Sequence, residues 1–159
     1  MTSVNLNQLK GIKITIIAWD GYSLAADKQC TSNGLRRTVT KVFEYQGKGI
    51  GIAGYISQGL ALLEWYKKGC NPNDYPEFQK GEDDAILVVA DRNSVITYGY
   101  THCPIVYEDS IFATGSGRDY ALAAMYLGKS AREAVLVASH FEEGCGMGID
   151  EIIFEKVPF

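Results

Sequence analysis

The sequence predicts an α+β domain in which helices pack on sheets. Two observations carry this. The hydrophobic period changes in blocks, giving strands, one helix, more strands, two helices and a final strand, an order without regular βαβ alternation. The chain is also long enough, at 159 residues, for one domain with a real core, and its 47% apolar and 21% charged residues match an ordinary globular protein.

The elements follow from local chemistry. Met1 to Leu9 is polar and aperiodic and reads as a loose leader, which Gly11 separates from the β-branched run Ile12 to Trp19. Asp20-Gly21 is a two-residue hairpin turn into Ser23 to Gln29. Lys28 to Thr40, rich in Ser, Thr, Asn and Gly, reads as a loop. Lys41 to Tyr45 and Ile50 to Ala53 are strands around the turn Gln46 to Gly49. Helical spacing then places Ile56, Leu60 and Leu63 on one face, with Lys67 and Lys68 in the last turn and Gly69 as the stop.

Cys70 to Asp84, with Pro72, Pro76 and an acidic run, is a surface connection. Ala85 to Ala90 is an apolar run short enough for a strand buried on both faces, and Asp91 to Ser94 turns it into Val95 to Tyr100. Val106 to Phe112 is a further strand, and Thr114 to Gly117 a tight polar turn. A helix through Ala121, Leu122, Ala124 and Met125 stops at Gly128, and the capping box Ser130-Ala131-Arg132-Glu133 starts another that runs to about Phe141. Gly144 to Gly148 turns into a last strand, Ile149 to Val157.

Net charge is −4 with the two signs interspersed, which favours neither a nucleic-acid groove nor an anionic membrane surface. Cys30, Cys70, Cys103 and Cys145 form no C-x-x-C pair, and His102 and His140 lack metal-finger spacing, so no metal and no cofactor is expected. The polar, lysine-bearing start is neither a secretory signal nor a membrane span, and the cytoplasm is the default location. His140, at a helix end, reads as a capping or surface residue. Asp20-Gly21 is explained by hairpin chemistry alone.

Thr15 to Gly21, Leu24-Ala25-Ala26-Asp27, Thr40-Lys41-Val42, Ala53-Gly54 at the mouth of a helix, and Gly115-Ser116-Gly117-Arg118-Asp119 occur in that order. In these pieces the chain resembles the proteasome β-subunit and HslV family of N-terminal-nucleophile hydrolases, over about Thr15 to Ile153. The resemblance implies a four-layer α-β-β-α sandwich spanning residues 15–159, preceded by a propeptide-like leader, residues 1–14. It implies a threonine endopeptidase in which Thr15 attacks through its hydroxyl and its own α-amino group, with a pKa of roughly 8, serves as base.

By the same resemblance Lys41 sits beside the hydroxyl, Asp27 pairs with Lys41, the Gly54 amide faces the oxyanion, and Ser116 bonds the terminal amine. Glu142 and Cys145 stand where the family has an aspartate and a serine. Val39, Ile52 and Ile56 would line the substrate side-chain pocket. Substrates would be peptides or unfolded proteins. Partners would be further copies in six- or seven-fold homo-oligomeric rings, stacked rings, and an ATP-dependent unfoldase. The family usually carries glycine before the nucleophile, whereas this chain has Ile14. Two alternatives therefore stay open: a catalytically silent ring subunit that keeps its leader, and an amidohydrolase of the same fold acting on a small amide. Taken without the resemblance, Thr15 is a strand residue, Lys41 with Asp27 an ion pair, and Ser116 a helix N-cap.

Overall fold

β-Branched and apolar residues build two sheets that face one another. The structure, a computed structural model, describes residues 15–77 and 84–155. The expected leader, the opening residues of the first strand, part of the acidic connection and the end of the last strand lie outside the described residues. The strands are β1 (Ile16–Trp19), β2 (Ser23–Asp27), β3 (Gln29–Ser32), β4 (Leu35–Thr38), β5 (Val42–Tyr45), β6 (Lys48–Gly54), β7 (Ala85–Ala90), β8 (Val95–Tyr98), β9 (Ile105–Tyr107), β10 (Phe112–Gly115) and β11 (Ile149–Ile153). The helices are α1 (Ile56–Lys67), α2 (Arg118–Tyr126) and α3 (Ala131–Phe141), with a 3-10 turn at Pro72–Asp74. One sheet runs β10-β1-β2-β11, the other β5-β6-β7-β8-β9, and β3 with β4 forms a separate ribbon. Each pairing in the two main sheets is antiparallel.

Strand alternation assigns the layers. In β1, Ile16 and Ala18 turn outward into a cluster with Ala121, Ala124, Ala134, Val135 and Ala138 of α2 and α3. Ile17 and Trp19 turn inward, against Val88 and Ala90 of the second sheet. Strands covered on both faces lose the polar alternation of a half-solvated strand, which explains the unbroken Ile-Ile-Ala-Trp run. On the far side of the second sheet, Ile50, Ile52 and Leu87 pack under Leu62, Leu63 and Trp65 of α1. The stack is therefore helix, sheet, sheet, helix, the four layers expected.

Helix α1 comes close to its sheet because Gly59 faces Ile52: a Cβ at Gly59 would lie 2.0 Å from Ile52 Cγ2. That contact fixes the rotation of the helix. Leu60, expected on the buried face, is 41% exposed, while Gly59, Leu62, Leu63 and Trp65 are buried.

Two other expectations are corrected. The segment read as a loop, Lys28 to Thr40, contains the β3–β4 hairpin, turned by Asn33 and Gly34 at φ 49° and 77°. Asn-Gly is a strong hairpin turn, but β4 is exposed at every position and so carries no apolar alternation. Val106 to Phe112 is not one strand; it is the end of β9 and the start of β10, which lie in opposite sheets. The capping box of α3 is present, with the Ser130 hydroxyl accepting from the Glu133 amide at 3.2 Å and a Glu133 carboxylate oxygen accepting from the Ser130 amide at 2.9 Å. Asp20 does more than turn a hairpin: Oδ1 accepts from the Tyr22 and Ser23 amides and Oδ2 from the Ala131 amide, which ties the β1–β2 turn to the first turn of α3. No described helix is long and apolar enough to cross a membrane.

Candidate active site

Thr15 lies one residue before β1, and the β1–β2 register, with Ile17 opposite Ala26, brings it to Asp27 at the end of β2. Asp27 is completely buried and Lys41, immediately before β5, is 2% exposed. Lys41 Nζ donates to Thr15 Oγ1 and to Asp27 Oδ1, both at 2.8 Å. The Thr15 hydroxyl in turn donates to Asp27 Oδ1 at 3.2 Å. The hydroxyl oxygen thus faces an ammonium, and its proton points at a carboxylate. An ammonium at this distance favours the alkoxide form electrostatically.

Isolated buried charges are costly, so the pair must be satisfied on all sides. Besides Lys41 and Thr15, the Asp27 carboxylate accepts from the amides of Ile16 at 3.2 Å, Gln29 at 3.2 Å and Gly146 at 3.0 Å. These amides come from β1, β3 and the turn before β11, so one carboxylate fixes three segments around the threonine. Gln29 and Gly146 were not anticipated from sequence, because backbone donors leave no side-chain signature.

On the opposite side of Thr15, its backbone nitrogen donates to Ser116 Oγ at 3.3 Å and its carbonyl accepts from the Gly117 amide at 3.3 Å. Gly117, not Ser116, is the N-cap of α2, so the Ser116 hydroxyl faces Thr15 instead of capping a helix. The approach requires glycine at 115: φ is +102°, and a Cβ there would lie 2.2 Å from the Thr15 carbonyl oxygen.

Cys145 is buried, with Sγ 3.9 Å from Ser116 Oγ. Burial, and then the nearby Asp27 charge, push its thiol up to about 12, so it stays protonated. Glu142 is half-buried at the C-cap of α3, and its carbonyl accepts from the Cys145 amide at 3.0 Å. Among the described residues its carboxylate makes no hydrogen bond, so Glu142 enters the cluster through its backbone.

Thr15, Gly54 and Ser116 line one cavity of about 740 Å3. Gly54 has φ +90°, and a Cβ there would lie 2.2 Å from the Asp84 carbonyl oxygen, so this wall admits only glycine. Val39, Ile52 and Ile56, the expected pocket residues, do not line this cavity. Ile52 is fully buried and Ile56 partly buried in the cluster under α1, and Val39, whose amide donates to the Lys28 carbonyl at 2.8 Å, does not line the cavity. The walls instead include Ala53, Ile86, Thr97, Ile105, Tyr107 and Arg118. The alternation of β8, with Val95 and Thr97 on one face, was the available signal. Among the described residues no His, Cys, Asp and Glu cluster has the form of a metal site; Cys103 Sγ and His102 Nδ1 are neighbours at 3.7 Å on the surface.

No family model matches the sequence, and no curated protein matches it. Solved structures do. HslV from Trypanosoma brucei superposes with a TM-score of 0.68 at 20% identity, covering 89% of this chain and 99% of that one. Thiobacillus denitrificans BPH matches with a TM-score of 0.65 at 20% identity, covering 91% of this chain and 99% of that one. The same protein in complex with epoxomicin gives 0.66 at 16% identity with the same coverage. The fold is that of the HslV-like and proteasome β-subunit-like N-terminal-nucleophile hydrolases. At these identities the likeness establishes the architecture, and the chemistry must be argued from this chain's own residues.

Proposed function

We infer that the chain is a threonine-type endopeptidase subunit of a proteasome-like, self-compartmentalising protease. The observation that carries this reading is the contact of Lys41 Nζ with Thr15 Oγ1 at 2.8 Å inside a buried ion pair. The Thr15 nitrogen is a peptide nitrogen while Ile14 is attached, so hydrolysis of the Ile14–Thr15 bond must come first. The freed amine then takes the hydroxyl proton, Oγ1 attacks the substrate carbonyl carbon, and the Gly54 amide stabilises the oxyanion, a donor typically worth about 3 kcal/mol of barrier. Collapse breaks the C–N bond, the protonated Thr15 amine returns its proton to the leaving amine, and water hydrolyses the acyl ester on Thr15. Asp27 holds Lys41, and Ser116, with Cys145 behind it, holds the amine.

Assembly into six- or seven-fold homo-oligomeric rings, stacked and served by an ATP-dependent unfoldase in the cytoplasm, belongs to this proposal. The apolar outer face of α2 and α3 supports assembly: Tyr126 is 84%, Leu127 79%, Leu136 62% and Phe141 61% exposed. A second reading, a catalytically silent subunit that keeps residues 1–14, is favoured by Ile14, since a β-branched residue prefers extended backbone to the tight turn that self-cleavage needs.

Intact mass of the purified protein separates the two. The peptidase reading expects a species beginning at Thr15, a covalent adduct with a threonine-directed electrophile such as an epoxyketone, and loss of both adduct and peptide hydrolysis in Thr15→Ala. An unprocessed chain that forms no adduct refutes it. Turnover of a small amide without peptide turnover would instead favour the amidohydrolase of the same fold.

A further inference from the structure

The cavity beside Thr15 carries one charge of each sign, on different walls. Among the described residues that line it, Arg118 is the one cation and Asp84 the one acidic residue, and most of the remaining wall is apolar or bears hydroxyls. Asp84 belongs with Gly54: a Cβ at Gly54 would meet the Asp84 carbonyl oxygen, and the Asp84 carboxylate accepts from the Tyr100 hydroxyl. Arg118 belongs with Ser116. Its Nη1 donates to the Gly115 carbonyl at 3.3 Å, which ties the guanidinium to the same Gly115-Ser116-Gly117 turn that bonds Thr15.

Helix stability does not explain an arginine here. Arg118 is the first residue of α2, after the N-cap Gly117, where the helix dipole favours an anion over a cation. An ion pair does not explain it either: Nε lies 3.7 Å from Asp119 Oδ1, but the two side chains are 57% and 84% exposed, and water screens such a contact. What a guanidinium fork does match is the two oxygens of a carboxylate.

The peptidase reading, on which this inference rests, says where that carboxylate would lie. With the carbonyl oxygen at the Gly54 amide, the leaving nitrogen must take its proton from the Thr15 amine, which lies against Ser116 Oγ at 3.3 Å. The peptide beyond the cleaved bond therefore departs past Ser116, toward Arg118. We propose that Arg118 binds a carboxylate carried by the leaving fragment of the substrate, so that the subunit selects peptides with an anionic group just beyond the cleaved bond. Asp84, beside the oxyanion donor, repels the same charge from the other wall and so sets the direction in which such a peptide lies. The carboxylate has two sources, a free C-terminus or an acidic side chain.

Three peptides of one apolar sequence separate them, with products read by mass spectrometry: one ends in a free carboxylate shortly after the cleaved bond, one is amidated there, and one is amidated with Asp in the leaving fragment. The native chain should cleave at least one anionic peptide with a kcat/KM about 10-fold above that of the neutral amide, the effect of a charge-assisted hydrogen bond, and chiefly through KM. Which peptide gains identifies the source. The preference should vanish in Arg118→Gln and survive in part in Arg118→Lys; it is a ratio taken within each variant, so changes in overall rate cancel. Equal kcat/KM for all three peptides, or a preference that Arg118→Gln retains, overturns the proposal. An epoxyketone carries no leaving fragment, so its adduct on Thr15 tests the peptidase reading alone. An adduct without carboxylate preference refutes only the role of Arg118, whereas neither adduct nor hydrolysis refutes both.

Discussion

Asp27 and Lys41 are oppositely charged and equally buried, yet removing one should cost far more than removing the other. Asp27 accepts from five donors, the Thr15 hydroxyl, the Lys41 ammonium and the Ile16, Gln29 and Gly146 amides. Lys41 donates to two acceptors, Thr15 Oγ1 and Asp27 Oδ1. In Lys41→Met the carboxylate keeps four donors, and the buried stem is replaced by one of similar shape. The expected cost is that of breaking a buried pair, about 3 kcal/mol, at the low end because four donors still hold the carboxylate. Asp27→Ala strands a buried ammonium, about 3–5 kcal/mol, and leaves three amides without their acceptor at ~1–3 kcal/mol each where water cannot reach them. The loss should be at least about 5 kcal/mol, comparable to the whole stability of many domains. Combining the two substitutions removes the stranded charge, so Asp27→Ala/Lys41→Met should be more stable than Asp27→Ala alone by about 2 kcal/mol. Urea unfolding read by the two buried tryptophans, Trp19 and Trp65, measures this. With m near ~2 kcal/mol/M, that coupling is about 1 M in midpoint. A double variant no more stable than Asp27→Ala, or a Lys41→Met variant worse than Asp27→Ala, would refute the assignment of the cluster as carboxylate-centred.

Gly59→Ala should destabilise despite better helix propensity: about 1 kcal/mol gained is outweighed by ~1–3 kcal/mol of overpacking, because the new methyl would meet Ile52 Cγ2 at 2.0 Å. Thermal unfolding should show the loss, and Ile52→Ala in the same chain should relieve part of it. Native alkylation at pH 8 followed by peptide mass mapping should modify exposed Cys103 first and buried Cys145 last, since a thiol pushed up to about 12 holds ~1,000-fold less thiolate than an ordinary one. For Asp91, burial alone raises the carboxyl, but hydrogen bonds from Lys48 and the Asn93 amide, with the Lys48 charge, outweigh it and hold the group below its ordinary value. Its contribution is present above the unfolded pKa of roughly 4 and is lost as pH falls through the lower folded value. Asp91→Asn should therefore cost about 1 kcal/mol at pH 7, and urea titrations should show the gap from the parent closing in acid.

Much of the architecture was legible because burial on two faces writes itself into composition. Ile16 to Trp19 and Ala85 to Ala90 read as strands without polar alternation, and both lie between layers. The capping box at Ser130 was legible because it is a side-chain motif. The β3–β4 ribbon was not, since β4 faces solvent at every position and bears Arg36 and Arg37 where a packed strand bears apolar residues, and β3 is polar apart from Cys30. Leu60 shows a different limit: spacing gives the helical period, but the phase of α1 is set by the Gly59–Ile52 contact, a tertiary fact. At the site, Thr15, Asp27, Lys41 and Ser116 were singled out as side chains and the fold gathers them. The cavity walls were not, because β9 and β10, each the last strand of its sheet among the described residues, contribute to one cavity only after a strand read as continuous has been divided between two sheets.

That division also explains why a costly cluster sits where it does. A buried ion pair is a weak source of stability, and apolar residues of similar volume commonly serve as well or better. Here the pair lies at the end of the sandwich, where β1, β2, β3, β5 and the turn before β11 run out of neighbours and leave backbone amides to satisfy. Asp27 satisfies three of them at once, and Lys41 neutralises the charge that doing so requires. What stability alone does not require is the remaining contact, from Lys41 Nζ to the hydroxyl of Thr15 at 2.8 Å, a residue that lines the cavity. A methionine at 41 with an uncharged residue at 27 would close the same core without it. The ammonium is thus best understood through the oxygen it touches, and on the peptidase reading proposed above the Ile14–Thr15 bond decides whether that oxygen ever acts.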